Sequence, residues 1–279
     1  MKENLKIKKI GFLGPSGSYA EEAASRIDGE LVPFDSIMEV MESLKQNEVD
    51  IGVVPIENSI EGSVGVTLDL LVHDYDLKII GEIILPINHK LLLNKDTSID
   101  EVKTVYSHVQ ALSQCRKFIE KMNVNPVATS STSMAAEMVK SQKYSAAIGT
   151  KKAAELYGLK IVADNIQDYD ENSTRFIILG KQFHSVTGKD KTSIAFSLHE
   201  DKPGGLYDVL GIFTKCNVNL TKIESRPSKK KLGKYIFFID FQGHVDNIEV
   251  KNILNNIKNK VLYVKILGSY PMKGDDQDK

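Results

Sequence analysis

The stretch Glu171-Asn172-Ser173-Thr174-Arg175-Phe176 sets a carboxylate, an amide, two hydroxyls and a guanidinium against an apolar run, Phe176-Ile177-Ile178-Leu179. The apolar run reads as a buried strand, with the polar cluster at its mouth. A rigid element can hold such groups in place for a small anionic ligand. The same residues also suit an ordinary polar loop entering a core strand, so the surrounding chain has to decide.

Working outward, strand and helix alternate. Residues 7–13 read as a strand. Gly14-Pro15-Ser16-Gly17 breaks it, and Ser18-Tyr19-Ala20-Glu21 opens a helix with capping-box spacing. A turn of this kind before a helix is a common anion site, because the first N–H groups have no partner within the helix. It matches neither a Walker loop nor a dinucleotide fingerprint, so nucleotide binding is not expected. Ser36-Ile37-Met38-Glu39 caps a helix to about Lys45. The strand at 51–54 ends in Pro55-Ile56-Glu57-Asn58-Ser59-Ile60-Glu61-Gly62. That again sets polar groups at a strand's carboxyl end, where open α/β sheets bind ligands, unless it is only a solvated turn.

Residues 77–85 and 91–93 are β-rich and could include a crossover between lobes. A strand at 102–106 leads to Ser107-His108-Val109-Gln110-Ala111 and a helix to about Lys121, with Leu112, Cys115, Phe118 and Ile119 on one face. A lone histidine at a helix start is more often a cap than a catalyst. Ser130-Ser131-Thr132-Ser133 begins a further helix. Residues 1–183 therefore read as an α/β domain with a parallel or mixed sheet. Folded as two lobes, it would face the clusters at 14–18, 57–61, 108–110, 130–133 and 172–175 across a cleft.

The polar segment 184–191, with Gly188, is the candidate linker. Beyond it the order is strand, helix, two strands, helix, strand over 192–272: a ferredoxin-like βαββαβ sandwich of roughly 80 residues. Residues 229–234 read as a basic hairpin tip, and the polar tail 273–279 is expected to be disordered.

Composition narrows the classes. A chain of 279 residues exceeds most single cores. Its 36 basic and 37 acidic residues leave a net charge of −1, which favours neither nucleic acid nor an anionic membrane as partner. The two cysteines, Cys115 and Cys216, form no metal or redox pattern and fit a reducing cytoplasm. The apolar run at 10–13 is too short for a signal peptide, and no run is long enough to cross a bilayer. A soluble, cytoplasmic protein is expected.

Several short blocks, in this order and spacing, resemble the prephenate dehydratase family with a C-terminal ACT domain. They are Gly14-Pro15-Ser16-Gly17-Ser18-Tyr19, Val54-Pro55-Ile56-Glu57-Asn58-Ser59, His108 with Gln110-Ala111-Leu112, Ser131-Thr132, Asn172-Ser173-Thr174-Arg175-Phe176, and Glu224-Ser225-Arg226-Pro227. Ser18 stands for the family's usual threonine, Ala20 for a frequent serine, Val109 for its usual proline and Gly205 for its usual alanine. The resemblance implies a two-lobed, periplasmic-binding-protein-like catalytic domain over 1–183 and a regulatory ACT domain over 192–272. It implies decarboxylation and dehydration of prephenate to phenylpyruvate in phenylalanine synthesis, with no metal or organic cofactor.

It also implies roles. Thr174 would carry the essential hydroxyl, assisting departure of the ring hydroxyl. Arg175 would clamp a carboxylate, or form a structural ion pair. Glu57 would donate a proton, or merely orient Thr174 or Arg175. Ser18, Asn58, Ser59, Gln110, Ser131 and Asn172 would bind substrate, with Phe176 packed beneath. Phenylalanine would be the effector at Gly204, Gly205, Leu206, Asn219, Leu220, Glu224, Ser225 and Arg226. ACT domains usually associate, so a homodimer or homotetramer is expected. No segment before Lys9 would encode a fused chorismate mutase. Arogenate dehydration and a non-catalytic amino-acid sensor are the competing readings.

Overall fold

The computed structural model describes residues 7–200, 202–229 and 234–272. The expected hairpin tip falls partly, at 230–233, and the expected tail at 273–279 wholly, outside the described residues. The chain divides into two compact units, residues 1–65 with 84–176 and residues 66–83 with 177–279.

The first unit holds two lobes. β1 (Lys9–Leu13), α1 (Tyr19–Ala24), β2 (Glu30–Phe34), α2 (Ile37–Gln46), β3 (Ile51–Asn58) and the short β4 (Gly62–Ser63) make the first. β1 lies between β2 and β3 and runs parallel to both, with Phe12 opposite Pro33 and Val53. α3 (Gly65–His73) and most of β5 (Lys78–Pro86) belong to the second unit. The second lobe contains β6 (Lys90–Leu93), β7 (Thr104–His108), α4 (Val109–Gln114), α5 (Arg116–Met122), β8 (Asn125–Thr129), α6 (Thr132–Val139), β9 (Ser145–Gly149), α7 (Lys151–Tyr157) and β10 (Lys160–Ala163). Its sheet has the order β10-β6-β9-β7-β8. β11 (Ser173–Gly180) then returns beside β3, giving β2-β1-β3-β11.

Local chemistry sets these boundaries. Ser18, Ser36, Ser131 and Thr150 each precede a helix and accept a hydrogen bond from the backbone N–H three residues on. The helix expected from 108 to about 121 is broken at Cys115, whose backbone (φ −115°, ψ 24°) is not helical.

The chain crosses between the lobes at 87–89 and again at 164–172. These crossings are tied together: Ile87 N donates to Asn172 O (2.8 Å) and Ile166 N to His89 O (3.1 Å). A further tie joins the lobes at the first turn. The Thr150 hydroxyl donates to Gly17 O (2.7 Å), and Ser133 Oγ donates to Ser16 O. Gly17 has φ +84°, and a Cβ there would stand 3.1 Å from Ala153 Cα. Only glycine satisfies both constraints.

The second unit is built on β12 (Asp190–Leu198), α8 (Gly205–Lys215), β13 (Leu220–Pro227), β14 (Tyr235–Gln242), α9 (Ile248–Lys258) and β15 (Val261–Pro271). This is the expected βαββαβ order, with the antiparallel sequence β13-β14-β12-β15. Both helices pack over Ile194, Phe196, Ile239 and Phe241. β12 takes in the last two residues of the expected linker, 190 and 191, because Asp190 is buried and accepts from Thr187 N, Thr187 Oγ1 and Gly188 N. Residues of the earlier chain also pack here: β15 meets β5 in parallel at Gly268 and Ile79.

Candidate active site

A cavity of about 600 Å³ opens between the two lobes of the first unit. The first lobe contributes Leu13, Gly14, Ser18, Tyr19, Asn58, Thr174 and Phe176. The second contributes His108, Gln110, Gln114, Ser131 and Thr132, and the crossing contributes His89. Of the ten catalytic and substrate-binding residues expected from sequence, Thr174, Asn58, Ser18, Gln110, Ser131 and Phe176 line it.

Arg175, Glu57, Ser59 and Asn172 are not among its lining residues. β11 begins at Ser173, so side chains already alternate through the polar cluster. Thr174 and Phe176 take one face; Arg175 takes the other. β3 does the same with Asn58 and Glu57. The two outward residues meet, Arg175 Nη1 lying 3.6 Å from Glu57 Oε2, and the arginine side chain is only 12% exposed. Of the two roles expected for Arg175, carboxylate clamp or structural ion pair, this geometry favours the pair, which stands half-buried behind the cavity wall. Ser59 ties the strand ends: its hydroxyl donates to Glu171 O (3.0 Å) and accepts from Ser173 N (2.9 Å).

Asn172 is 2% exposed and works from behind the wall. The polar bonds here have a fixed direction. Asn58 Oδ1 accepts from two backbone donors, Ile60 N and Glu61 N, both at 3.0 Å. Its amide cannot turn over without losing them, so Asn58 Nδ2 is the donor to Thr174 Oγ1 (2.9 Å) and Asn172 Oδ1 (2.9 Å). Asn172 Nδ2 in turn donates to Gln114 Oε1 (2.9 Å). That oxygen is then an acceptor, and His89 Nε2, 3.0 Å away, carries a hydrogen. Thr174 therefore accepts from Asn58 and keeps its own hydroxyl proton for the cavity.

His89, Gln114 and Tyr19 complete the arrangement. Tyr19 Oη lies 3.2 Å from His89 Nδ1 and donates to Asn88 O at 3.0 Å. Burial holds the His89 ring below its usual pKa, a hydrogen bond to Gln114 opposing it. Burial likewise pushes the Tyr19 phenol up, helped by the charge of Glu22. Sequence reading singled out neither His89 nor Gln114. His89 sits alone before an apolar strand, and its partners are 25 and 70 residues away. Gln114 had one available signal, its i+4 spacing from Gln110 on the same helix face.

Comparison with known proteins identifies the lineage. Residues 10–184 match the prephenate dehydratase family, and residues 192–259 match the ACT domain. The chain belongs to the prephenate dehydratase family. It is 44% identical over 275 residues to a prephenate dehydratase of Methanocaldococcus jannaschii, covering 95% of this chain and 98% of that one. A prephenate dehydratase from Arthrobacter aurescens, solved in complex with L-Phe, superposes with a TM-score of 0.87 at 33% identity, covering 95% and 90% of the two chains. A protein described as a quorum quenching acylase, GqqA, shares the fold equally well (TM-score 0.87, 27% identity, 95% and 98% covered).

The residues that the family resemblance marks for an effector all lie in the second unit. Gly204, at φ +84°, precedes α8, which starts at Gly205 and Leu206. Asn219 O accepts from Gln242 N, and Leu220 opens β13. Along β13 burial alternates, so Glu224 and Arg226 share one face and Ser225 takes the other. Arg226 is already committed: Nε and Nη2 both donate to Asp69 on α3 at 3.2 Å, with Glu224 3.8 Å from Nη1. Burial acts to raise the Asp69 carboxyl, but hydrogen bonds from Arg226 and Lys229 outweigh it and hold the group below its usual value.

Proposed function

We propose that the protein converts prephenate to phenylpyruvate, carbon dioxide and water. The observation that carries this is the direction of the bond between Asn58 and Thr174. Prephenate is a dianion. Its ring carboxylate leaves as carbon dioxide, the released electron pair enters the ring, and the hydroxyl opposite departs. Departure needs a hydrogen-bond donor at that oxygen, because hydroxide is a poor leaving group. Thr174 presents a free O–H there, made more acidic by the donor behind it, and one proton is consumed overall. The apolar wall of Leu13, Ile87 and Phe176 favours loss of charge from the ring carboxylate. Ser18, Gln110 and Ser131 offer neutral hydrogen bonds to the remaining polar groups. Arg175 and Glu57 act as a pair that fixes β3 against β11.

Residues 1–183 form the catalytic part, 184–191 the connection and 192–272 the regulatory part. Phenylalanine binds at 204–206 and 219–226, favouring a less active state, and the ACT domains join copies of the chain as a dimer or tetramer. Among the described residues no helix is long and apolar enough to cross a membrane, which suits a cytoplasmic enzyme. The test is to follow phenylpyruvate by absorbance on adding prephenate, with and without phenylalanine, beside arogenate. Turnover lost in Thr174→Ala supports the reading. Turnover of arogenate alone, or of neither compound, sinks it.

A further inference from the structure

A dicarboxylate should meet counter-charge in its site, yet among the described residues lining the cavity there is no lysine or arginine. The ionisable side chains there are Asp35, Tyr19, His108 and His89. His89 is only 3% exposed and reaches the cavity wall. Its surroundings are prepared for a cation. Gln114 Oε1 is fixed as an acceptor by Asn172 and waits at Nε2. At Nδ1 stands Tyr19 Oη, whose own hydrogen can go to Asn88 O. Imidazolium would therefore find an acceptor for each N–H, and Tyr19 would still donate. Neutral imidazole leaves either Nδ1 or Asn88 O without that donor.

We propose that His89 is the counter-charge of this site: it takes up a proton when a dicarboxylate enters the cavity and releases it when the cavity holds no dianion. The inference rests on the reading of the cavity as the prephenate site. The groups packed around the ring are Tyr19 on α1, Gln114 on α4 with Glu61 3.4 Å behind it, and Gln167 accepting from His89 N. Asp164 is paired with Lys90 and Asp168 accepts from Lys117 N, and among the described residues the ring's hydrogen-bond partners are Tyr19 and Gln114, so no carboxylate stands against it to charge it. A buried dianion is then the group that does so. After carbon dioxide leaves, the product carries one carboxylate, the demand for counter-charge falls and release is favoured.

The experiment is calorimetry of prephenate binding to the Thr174→Val variant, about one unit above the ordinary histidine pKa of about 6.5. Phosphate and Tris buffers, with different ionisation enthalpies, count the protons taken up. Uptake approaching one proton per site is expected, falling close to zero when His89→Gln is added, with binding weakened about tenfold or more. His108→Gln in the same background should leave uptake unchanged. Histidine-labelled protein gives a second reading that needs no change at His89: one imidazole NMR signal should move to the imidazolium position on adding prephenate. Tight binding without proton uptake, or uptake that follows His108, overturns the proposal while leaving the site assignment standing. Absence of binding overturns both.

Discussion

Asn58→Asp tests the direction of the polar chain without changing its shape. In the native protein Asn58 Oδ1 holds Ile60 N and Glu61 N, while Nδ2 points at Thr174 Oγ1, Asn172 Oδ1 and Ser173 O at 2.9, 2.9 and 3.3 Å. A carboxylate keeps the two backbone bonds and would stay ionised because of them. Its second oxygen then faces three oxygens with no hydrogen to offer. Thr174 must turn its proton onto that carboxylate, so the leaving hydroxyl loses its donor. Asn172 must turn over, which sets its carbonyl against Gln114 Oε1.

Loss of one positioned proton donor costs about 100- to 10,000-fold in kcat, which is about 2.7–5.4 kcal/mol of barrier. Two lost hydrogen bonds at buried acceptors cost the fold about 1–3 kcal/mol, enough to lower the melting temperature but not to unfold the protein. The assay is phenylpyruvate formation for wild type, Asn58→Asp, Thr174→Val and the double variant, each checked for its melting curve. If Asn58 acts through Thr174, the double variant is no slower than Thr174→Val. A folded Asn58→Asp variant within about threefold of wild type would refute the reasoning, as would losses that multiply in the double variant.

Three further outcomes are expected. Gly268→Ala would drive a Cβ into the carbonyl oxygen of Ile79 where β15 meets β5, so it should cost about 1–3 kcal/mol by thermal melting. Burial pushes the Cys115 thiol up to about 12, so an alkylating reagent at mildly alkaline pH should label the half-buried Cys216 and spare Cys115, read by mass spectrometry of the native protein. The Asp69 carboxyl is held below its usual value, so its contribution to stability is present above the unfolded value of about 3.9 and is lost as pH falls through the folded one. Asp69→Asn should therefore lower the urea midpoint at neutral pH and flatten its decline in acid.

Much of the frame was legible because it rests on local chemistry. The serine caps at Ser18, Ser36 and Ser131 mark helix starts within the chain itself, and the βαββαβ order follows from short runs of periodicity. Six of the expected catalytic and binding residues meet at the cavity: Ser18, Asn58, Gln110, Ser131 and Thr174 sit at a strand end or helix start, where such residues converge in an α/β lobe, and Phe176 follows Thr174 on the same face of β11. What failed was a boundary. The apolar run at 176–179 dated the strand from Phe176, but β11 starts at Ser173. Three residues of strand turn one polar cluster into two faces, with Thr174 toward the cavity and Arg175 toward Glu57.

The unread part of the site has a different cause. His89 and Gln114 gain their meaning from partners that local periodicity cannot bring together, and from the direction of bonds rather than from residue type. An amide or an imidazole is both donor and acceptor until something fixes it. Here the fixing groups are two backbone N–H bonds beyond β3, at Ile60 and Glu61. From them the direction passes through Asn58 to Thr174 on one side, and through Asn172 and Gln114 to His89 on the other. One turn therefore sets both the free proton on Thr174 and the hydrogen on His89 Nε2. A substitution that disturbs that turn should impair the leaving-group donor and the counter-charge together, although neither residue is touched.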